Sequence, residues 1–282
     1  MALLKNISLV LLVLARAGTM LYAQAIEPGQ LNPDSVNKLA EIYRKAGGEY
    51  YSKGEAEAAI TNFMKAYELY QRGLNSKDMA ICLHSIAFAY DELLHNDQQA
   101  LQYVEKSIVV HRNDNDTLEM ANMYKYMGML KARMGNYATA KEDIRAAVSY
   151  FSLKNYEPGI AVSMYDMALV YINEKKADSA LFYLEKAKMY WVERKNPGRI
   201  FGINNTFIEL THSINDTGKG STLINENRQI LTSGNIYFRD KLKFYYLAAK
   251  YYGNNSMPGQ PDYKGLYNRL ADSLTRQGIK VE

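Results

Sequence analysis

Residues 168–187 read ALVYINEKKADSALFYLEKA, and the spacing of their small side chains indicates the fold. Ala168 and Ala180 are 12 residues apart, and Ala187 follows 7 residues later. Small side chains at these three positions let two helices cross at the roughly 8–10 Å typical of helix packing, because larger side chains would push the backbones apart. The polar run 175–178 between them is a turn signal. The stretch therefore predicts two helices joined by a tight turn.

The same spacing of small residues recurs three times before this stretch. The equivalent positions are Gly47, Ala59 and Ala66, then Ala87, Ala100 and Ser107, then Gly128, Ala140 and Ala147. The second helix of each unit also carries an apolar residue four positions after its first small residue, at Phe63, Val104, Ile144 and Leu184. A period of this length indicates stacked helix pairs rather than one closed core.

The four units are not identical. Their central Ala residues are 41, 40 and 40 positions apart, and we assign the additional residue of the second unit to its turn. A Tyr stands three residues after the first small residue in the other units, whereas the third has Lys131 there. The linkers between units are expected at 73–77, 113–116, 154–158 and 196–198. The run 116–119, Asp-Thr-Leu-Glu, is a candidate helix-capping box at the second of these.

These positions resemble the signature of the tetratricopeptide repeat. The match is carried by Tyr43, Gly47, Tyr50, Gly54, Ala59, Phe63 and Ala66, and again by Tyr124, Gly128, Gly135, Tyr137, Ala140, Ile144 and Ala147. The resemblance implies an all-α fold, a right-handed superhelix of about five to six antiparallel helix pairs. The usual period is about 34 residues, so about six residues per unit lengthen a helix or the following loop. Arrays of this longer period resemble the sensor parts of bacterial regulators that bind peptides or proteins.

The expected domain organisation has three parts. Residues 1–25 have the layout of a secretory signal peptide, with Lys5, an apolar run at 7–15 and a small-x-small site at 23–25. An uncleaved membrane anchor is the alternative, but the apolar run is far shorter than the about 20 residues that span a bilayer. Residues 26–196 hold the four repeats. Residues 197–282 hold two degenerate helix pairs that act as a C-terminal cap, and their end resembles the last repeat helix of membrane-anchored bacterial sensors.

Charge and composition exclude several functional classes. The chain has 34 Lys and Arg against 30 Asp and Glu, and loss of Lys5 and Arg16 with the signal peptide leaves 32 against 30. This balance gives no electrostatic reason to expect nucleic acid. The four His are scattered singly, and Cys82, the only cysteine, is expected to be a buried helix residue. We therefore predict no metal site, no cofactor and no catalytic activity.

A mixed apolar and charged stripe is the predicted binding surface. It follows the first-helix face that would line the concave side of the array. Its members are Arg44, Tyr51, His84, Phe88, Asp91, Lys125, Met129, Arg133, Tyr165, Ile172 and Asn173. Co-chaperone repeats that grip a terminal carboxylate need Lys and Asn at set positions, and this chain has Arg44 with Gly48 and His84 with Phe88 there. That clamp is absent.

The functional expectation is an exported bacterial scaffold in the periplasm or cell envelope. It would bind a protein or peptide without catalysis, and it would not insert stably into the membrane once its signal is cleaved. A sensor for a small molecule or sugar that signals through another chain is the first alternative. An enzyme whose acidic or His groups cluster across repeats is the second. The sequence leaves the partner and the oligomeric state open.

Overall fold

A computed structural model describes residues 32–253 and 261–281. The predicted signal peptide lies outside the described residues. Within them the chain forms twelve α-helices and no strand. The helices are α1 (Pro33–Ser52), α2 (Ala56–Arg72), α3 (Ser76–Phe88, continued by a π-helical segment Ala89–Leu93), α4 (Asp97–Asn113), α5 (Thr117–Arg133), α6 (Tyr137–Leu153), α7 (Glu157–Asn173), α8 (Ala177–Glu193), α9 (Pro197–Ser213), α10 (Thr217–Ser233), α11 (Phe238–Tyr252) and α12 (Tyr263–Arg276).

The helices belong to two compact units. The first ends at Asp114 and contains α1 to α4, and the second begins at Asn115 and contains α5 to α12. In each unit consecutive helices pack against each other as antiparallel pairs, so the predicted all-α helix-pair architecture is confirmed within each. No helix among the described residues combines the length and the hydropathy needed to cross a membrane.

The turns explain the long repeat period. From α1 to α10 each turn has three residues, and the middle one has a positive φ. These middle residues are Gly54, Leu74, His95, Asn115, Gly135, Asn155, Lys175, Lys195 and Asn215. Each helix from α4 to α10 has 17 residues. The same short turn thus serves within and between pairs, and the additional residues lengthen the helices rather than the loops.

The small residues pack where the sequence predicted that helices cross. Ala59, Ala140 and Ala180 have no exposed surface. A Cβ added to Gly47 would lie 2.7 Å from the Phe63 ring, and one added to Gly128 would lie 2.8 Å from the backbone oxygen of Ala140. Because neither space holds a methyl group, these positions must be small.

The assignment of the additional residue of the second pair to its turn is wrong. The turn 94–96 has three residues like the others, and the residue is absorbed in the π-helical segment Ala89–Leu93 at the end of α3. A π-helical turn takes one more residue than an α-helical turn, so the crossing residues on either side stay in register. The insertion therefore changes the last turn of α3 and leaves the packing of the pair intact.

The Lys that departs from the repeat signature has a matching change opposite it. In the fourth pair Tyr171 stacks on Tyr183 with ring centroids 5.4 Å apart. At the equivalent positions of the third pair, Lys131 Nζ lies 2.6 Å from Asp143 Oδ2. Burial raises the pKa of Asp143, and the bond from Lys131 opposes that rise. An ion pair thus replaces an aromatic pair between the two helices.

Other sequence predictions about the helices are also confirmed. The Asp116 carboxylate accepts a hydrogen bond from the Glu119 amide at 3.3 Å, so it caps α5. The described residues from 197 onward form two further helix pairs, α9 with α10 and α11 with α12; that these are degenerate repeats acting as a cap stays a prediction. Cys82 is fully buried on α3, and burial raises the pKa of its thiol to about 12, as expected for an unreactive core residue.

Candidate functional site

In the first unit the structure distributes the predicted site residues over three local settings. Arg44 lies in a cleft of about 390 Å³ formed by α1, the end of α2 and the start of α3. A hydrogen bond with the Tyr70 hydroxyl raises the pKa of Arg44. The cleft is also lined by Asp34, Asn37, Lys38, Glu41, Asn75 and Asp78. Three acidic and two basic side chains line it, so it has no marked preference for one sign of charge.

The other predicted residues of the first unit contact one another or the π-helical segment. The Tyr51 hydroxyl donates a hydrogen bond to Glu92 in that segment, next to Asp91. Burial raises the pKa of Tyr51 well above its usual value. The His84 ring stacks on Phe88 with centroids 4.5 Å apart, and burial lowers the pKa of His84 to about 4, so the ring is neutral at pH 7.

In the second unit, the predicted residues on α5 have different surroundings. Lys125 Nζ lies 3.8 Å from Asp166 Oδ2. Burial raises the pKa of Asp166 to about 6, against the opposing charges of Lys125 and Arg199. Met129 packs against the buried cluster that contains Ile144 and Met167, and Arg133 is exposed at the end of α5. Met129 therefore contributes to packing.

Three predicted residues come together in a groove of the second unit. Tyr165, Ile172 and Asn173 line a cavity of about 730 Å³ beside α7, α9 and α11, which we call the α7–α9–α11 groove. Ten further residues complete its lining: Leu169, Lys175, Lys176, Ala177, Thr206, Glu209, Leu210, Ser213, Ile214 and Lys243. The sequence prediction missed these ten.

A sequence signal for part of the missed lining existed. Shifts of one and two repeat periods carry the predicted Met129 to Leu169 and Glu209, and a shift of one period carries Asn173 to Ser213. The predicted stripe ended at α7 because the repeat signature fades after residue 197. The contribution of Lys243 from α11 had no such signal.

The groove combines an apolar lining with hydrogen-bonding groups. Leu169, Ile172, Leu210 and Ile214 supply the apolar surface. The Tyr165 and Thr206 hydroxyl groups lie 2.8 Å apart, and burial raises the pKa of Tyr165. Apolar surface interrupted by a few hydroxyl and amide groups suits a ligand that buries side chains and needs partners for its polar backbone.

A chain of buried amides holds the helices that form one side of the groove. Asn204 Nδ2 donates to Asn227 Oδ1 at 3.0 Å, and Asn227 Nδ2 donates to Asn205 Oδ1 at 3.1 Å. Asn205 Nδ2 in turn donates to the Asp240 backbone oxygen at 3.0 Å. All three Asn are essentially fully buried, so each broken bond would leave a desolvated polar group. This network ties α9 to α10 and α11, and no motif in the sequence indicated it.

Positive charge predominates in the groove lining. Three Lys stand there against one acidic residue, Glu209. Lys243 Nζ lies 2.9 Å from Glu209, and Lys176 Nζ lies 2.7 Å from Glu174. Glu174 Oε2 also lies 2.7 Å from Lys141 Nζ. Among the residues that the structure describes, Lys175 has no ion-pair partner within 4 Å.

The described part of the chain holds no group of three His, Cys, Asp or Glu side chains that could bind a metal ion.

Comparison with solved structures finds the same helical architecture in several proteins. A putative kinesin light chain from Podosopora anserina with TPR-like repeats aligns with a TM-score of 0.55 at 14% identity, over 71% of this chain and 96% of that one. The Rap conjugation gene regulator of plasmid pLS20, solved in complex with the Phr* peptide, aligns with a TM-score of 0.60 at 17% identity, over 83% and 62%.

A third similar structure carries an enzyme name. Aspartyl phosphate phosphatase F from Bacillus subtilis aligns with a TM-score of 0.60 at 16% identity, over 87% of this chain and 63% of that one. No protein-family model matches the sequence, and comparison with curated proteins finds no match. At these identities the likeness concerns the fold alone.

Proposed function

The chain has the tetratricopeptide-repeat fold, and from this premise we propose that it is a non-enzymatic scaffold that binds a protein or peptide segment in the α7–α9–α11 groove. The observation that carries the proposal is the composition of the groove. Four apolar side chains lie beside the Tyr165 and Thr206 hydroxyl groups in one cavity. Such a lining can bury the side chains of a peptide while it hydrogen-bonds the peptide backbone.

Two further observations support this proposal. The buried Asn network holds α9, α10 and α11 together, which lowers the entropy lost when a ligand binds. One protein of the same fold was solved with a peptide, the regulator of plasmid pLS20. By analogy with that complex, a peptide is the ligand class that we propose for this chain.

We propose that the protein acts in the bacterial cell envelope after export. The support is that residues 1–25 contain, in this order, a basic residue, an apolar run and a small-x-small site, as a secretory signal peptide does. Fractionation of cells, followed by N-terminal sequencing of the recovered protein, tests this. A chain that begins near Ile26 in the periplasmic fraction is the expected result, and a chain that keeps Met1 in the cytoplasm would contradict it.

A peptide-display experiment tests the binding function. The purified protein selects from a random peptide library, and the affinity of the enriched peptides is measured for two matched variants, Ile214→Asn and Leu94→Asn. Both residues are the first of a three-residue turn, and they are 41% and 43% exposed, but only Ile214 lines the groove. We expect Ile214→Asn to weaken binding about tenfold, since part of an Ile contact is lost, and Leu94→Asn to leave it unchanged.

Two outcomes would contradict this proposal. Failure to enrich any peptide is one, and equal affinity of the enriched peptides for both variants is the other. Circular dichroism melts of both variants establish that each is folded before binding is measured.

The size of the groove favours one alternative, a sensor for a small molecule or sugar. Its volume, about 730 Å³, falls within the range of about 300–1,000 Å³ common to small-molecule sites. Thermal-shift measurements with a panel of sugars and metabolites test it, because a ligand that binds only the folded chain raises its melting temperature. A saturable shift that Ile214→Asn removes would favour the sensor over the peptide scaffold.

A further inference from the structure

We propose that the α7–α9–α11 groove selects a segment in which acidic side chains accompany apolar ones, with the acidic groups paired to Lys175, Lys176 and Lys243. This inference rests on the proposed peptide-binding function and specifies its ligand. The apolar side chains of the segment lie against Leu169, Ile172, Leu210 and Ile214, and its backbone meets the hydroxyl and amide groups of the lining.

The lining of the groove carries an excess of positive charge. Three Lys and one Glu in the lining leave it with two more positive than negative side chains. The chain as a whole is nearly balanced, with 34 basic against 30 acidic residues, so this excess is local. A local excess of one sign attracts a ligand of the other sign and rejects one of the same sign.

The existing ion pairs leave these Lys available. Lys243 and Glu209 have side chains 48% and 60% exposed, and Lys176 is 56% exposed, so their pairs are weak and can exchange partners. Glu174 already shares its carboxylate between Lys176 and Lys141. Lys175 stands in the turn after α7 with an exposed side chain.

The distribution of the Lys residues favours several acidic side chains over one terminal carboxylate. Lys175 and Lys176 lie in the turn after α7, whereas Lys243 lies on α11. The positions where a terminal-carboxylate clamp needs Lys and Asn carry Tyr165 and Leu169 on α7. On α9 the amide of Asn205 is already bonded to Asn227 and to the Asp240 backbone. Carboxylates spread along a segment fit this lining better than a single carboxylate at its end.

Selection from an internal peptide library is the first test. The random segment is flanked on both sides, so that no terminal carboxylate is present. We expect the enriched peptides to combine Asp or Glu with Leu, Ile or Val. The peptide of highest affinity is then made with both ends blocked, in its selected form and with every Asp or Glu replaced by the corresponding amide.

Matched variants of the protein are the second test. The triple variant Lys175→Gln/Lys176→Gln/Lys243→Gln is compared with Lys154→Gln/Lys195→Gln/Lys264→Gln, which removes the same charge from exposed positions outside the groove lining. Lys195 occupies the same left-handed turn position as Lys175, with φ of 50° against 60°. Exposed charge pairs contribute a factor of about two each, so we expect the groove triple to bind the acidic peptide about tenfold more weakly. The control triple should bind it within about twofold of the wild type.

Several results would overturn the inference. Enriched peptides without acidic residues, an amide peptide that binds as well as the acidic one, or equal losses in the two triple variants would each do so. A second copy of the chain in the groove, seen as a dimer that Ile214→Asn dissociates, would also overturn it. If neutral peptides are enriched and Ile214→Asn still weakens them, the peptide-binding function stands and only the acidic preference fails.

Discussion

We expect that a tyrosine pair like Tyr171 and Tyr183 can replace the ion pair between Lys131 and Asp143, but only when both residues are changed together. The two side chains are 21% and 13% exposed, and their charged atoms are 2.6 Å apart. Replacing Lys131 alone by Tyr leaves the Asp143 carboxylate largely buried without its partner. A fully buried broken pair costs about 3–5 kcal/mol and an exposed one about 1 kcal/mol or less. For this partly exposed pair we expect a loss of about 2 kcal/mol.

The double variant Lys131→Tyr/Asp143→Tyr should recover most of that loss. It recreates the stacked pair seen at Tyr171 and Tyr183, and such pairs contribute about 0.5–1.5 kcal/mol beyond the area that they bury. We expect its free energy of unfolding within about 1 kcal/mol of the wild type.

Urea unfolding of the wild type, the two single variants and the double variant forms a double-mutant cycle. The coupling energy between positions 131 and 143 should exceed about 1 kcal/mol. Additive effects of the two single variants would contradict this prediction, because they would mean that the two positions do not depend on each other.

Three further predictions concern pH and the turns. The buried Asp166 has its pKa raised to about 6, so it binds a proton at a higher pH in the folded state than in the unfolded chain. The free energy of unfolding should therefore fall as the pH rises from about 4 to 6. In urea titrations at pH 4.5 and 7.5, Asp166→Asn should remove about 2 kcal/mol of this fall. His84 has its pKa lowered to about 4, so it should contribute the opposite slope, with stability lost as the pH falls from about 6.5 to 4; His84→Gln should reduce that loss, and an unchanged slope would contradict the assignment. Leu74 is 87% exposed and has a left-handed backbone conformation with φ of 54°, which glycine adopts without strain, so Leu74→Gly should raise the melting temperature by about 2–4 °C. Gly135→Ala, at φ of 81°, should lower the melting temperature for the same reason. A lower melting temperature for Leu74→Gly would contradict the account of the turns.

The spacing of small residues was sufficient to predict the helix pairs. At Gly128 the space beside the Ala140 backbone is too small for a methyl group. The need for a small residue at a helix crossing can therefore be recognised from the residue type at one position. The turns were predictable for the same reason, since each depends on a few adjacent residues. The length of the helices was left open, because a repeat of given period can be divided between helix and loop in several ways.

The position of the additional residue in the second pair could not be predicted from residue spacing alone. The sequence shows that the separation of Ala59 and Ala100 exceeds that of the later central Ala residues by one position. It does not show whether that residue enlarges the turn or the helix. Packing of α3 and α4 decides this, because the π-helical segment keeps the crossing residues in register while the turn keeps its three residues.

The candidate site shows the same division between sequence and structure. Because periodicity is a property of the linear chain, the sequence was enough to predict the helix-pair fold, the small crossing residues and a stripe that includes Tyr165, Ile172 and Asn173. The packing of the helices was needed to show that Lys243 joins these residues and that Asn204, Asn205 and Asn227 form one buried network. Such contacts depend on how helices that are distant in the chain pack side by side, and no repeat position after residue 197 relates α11 to the earlier helices.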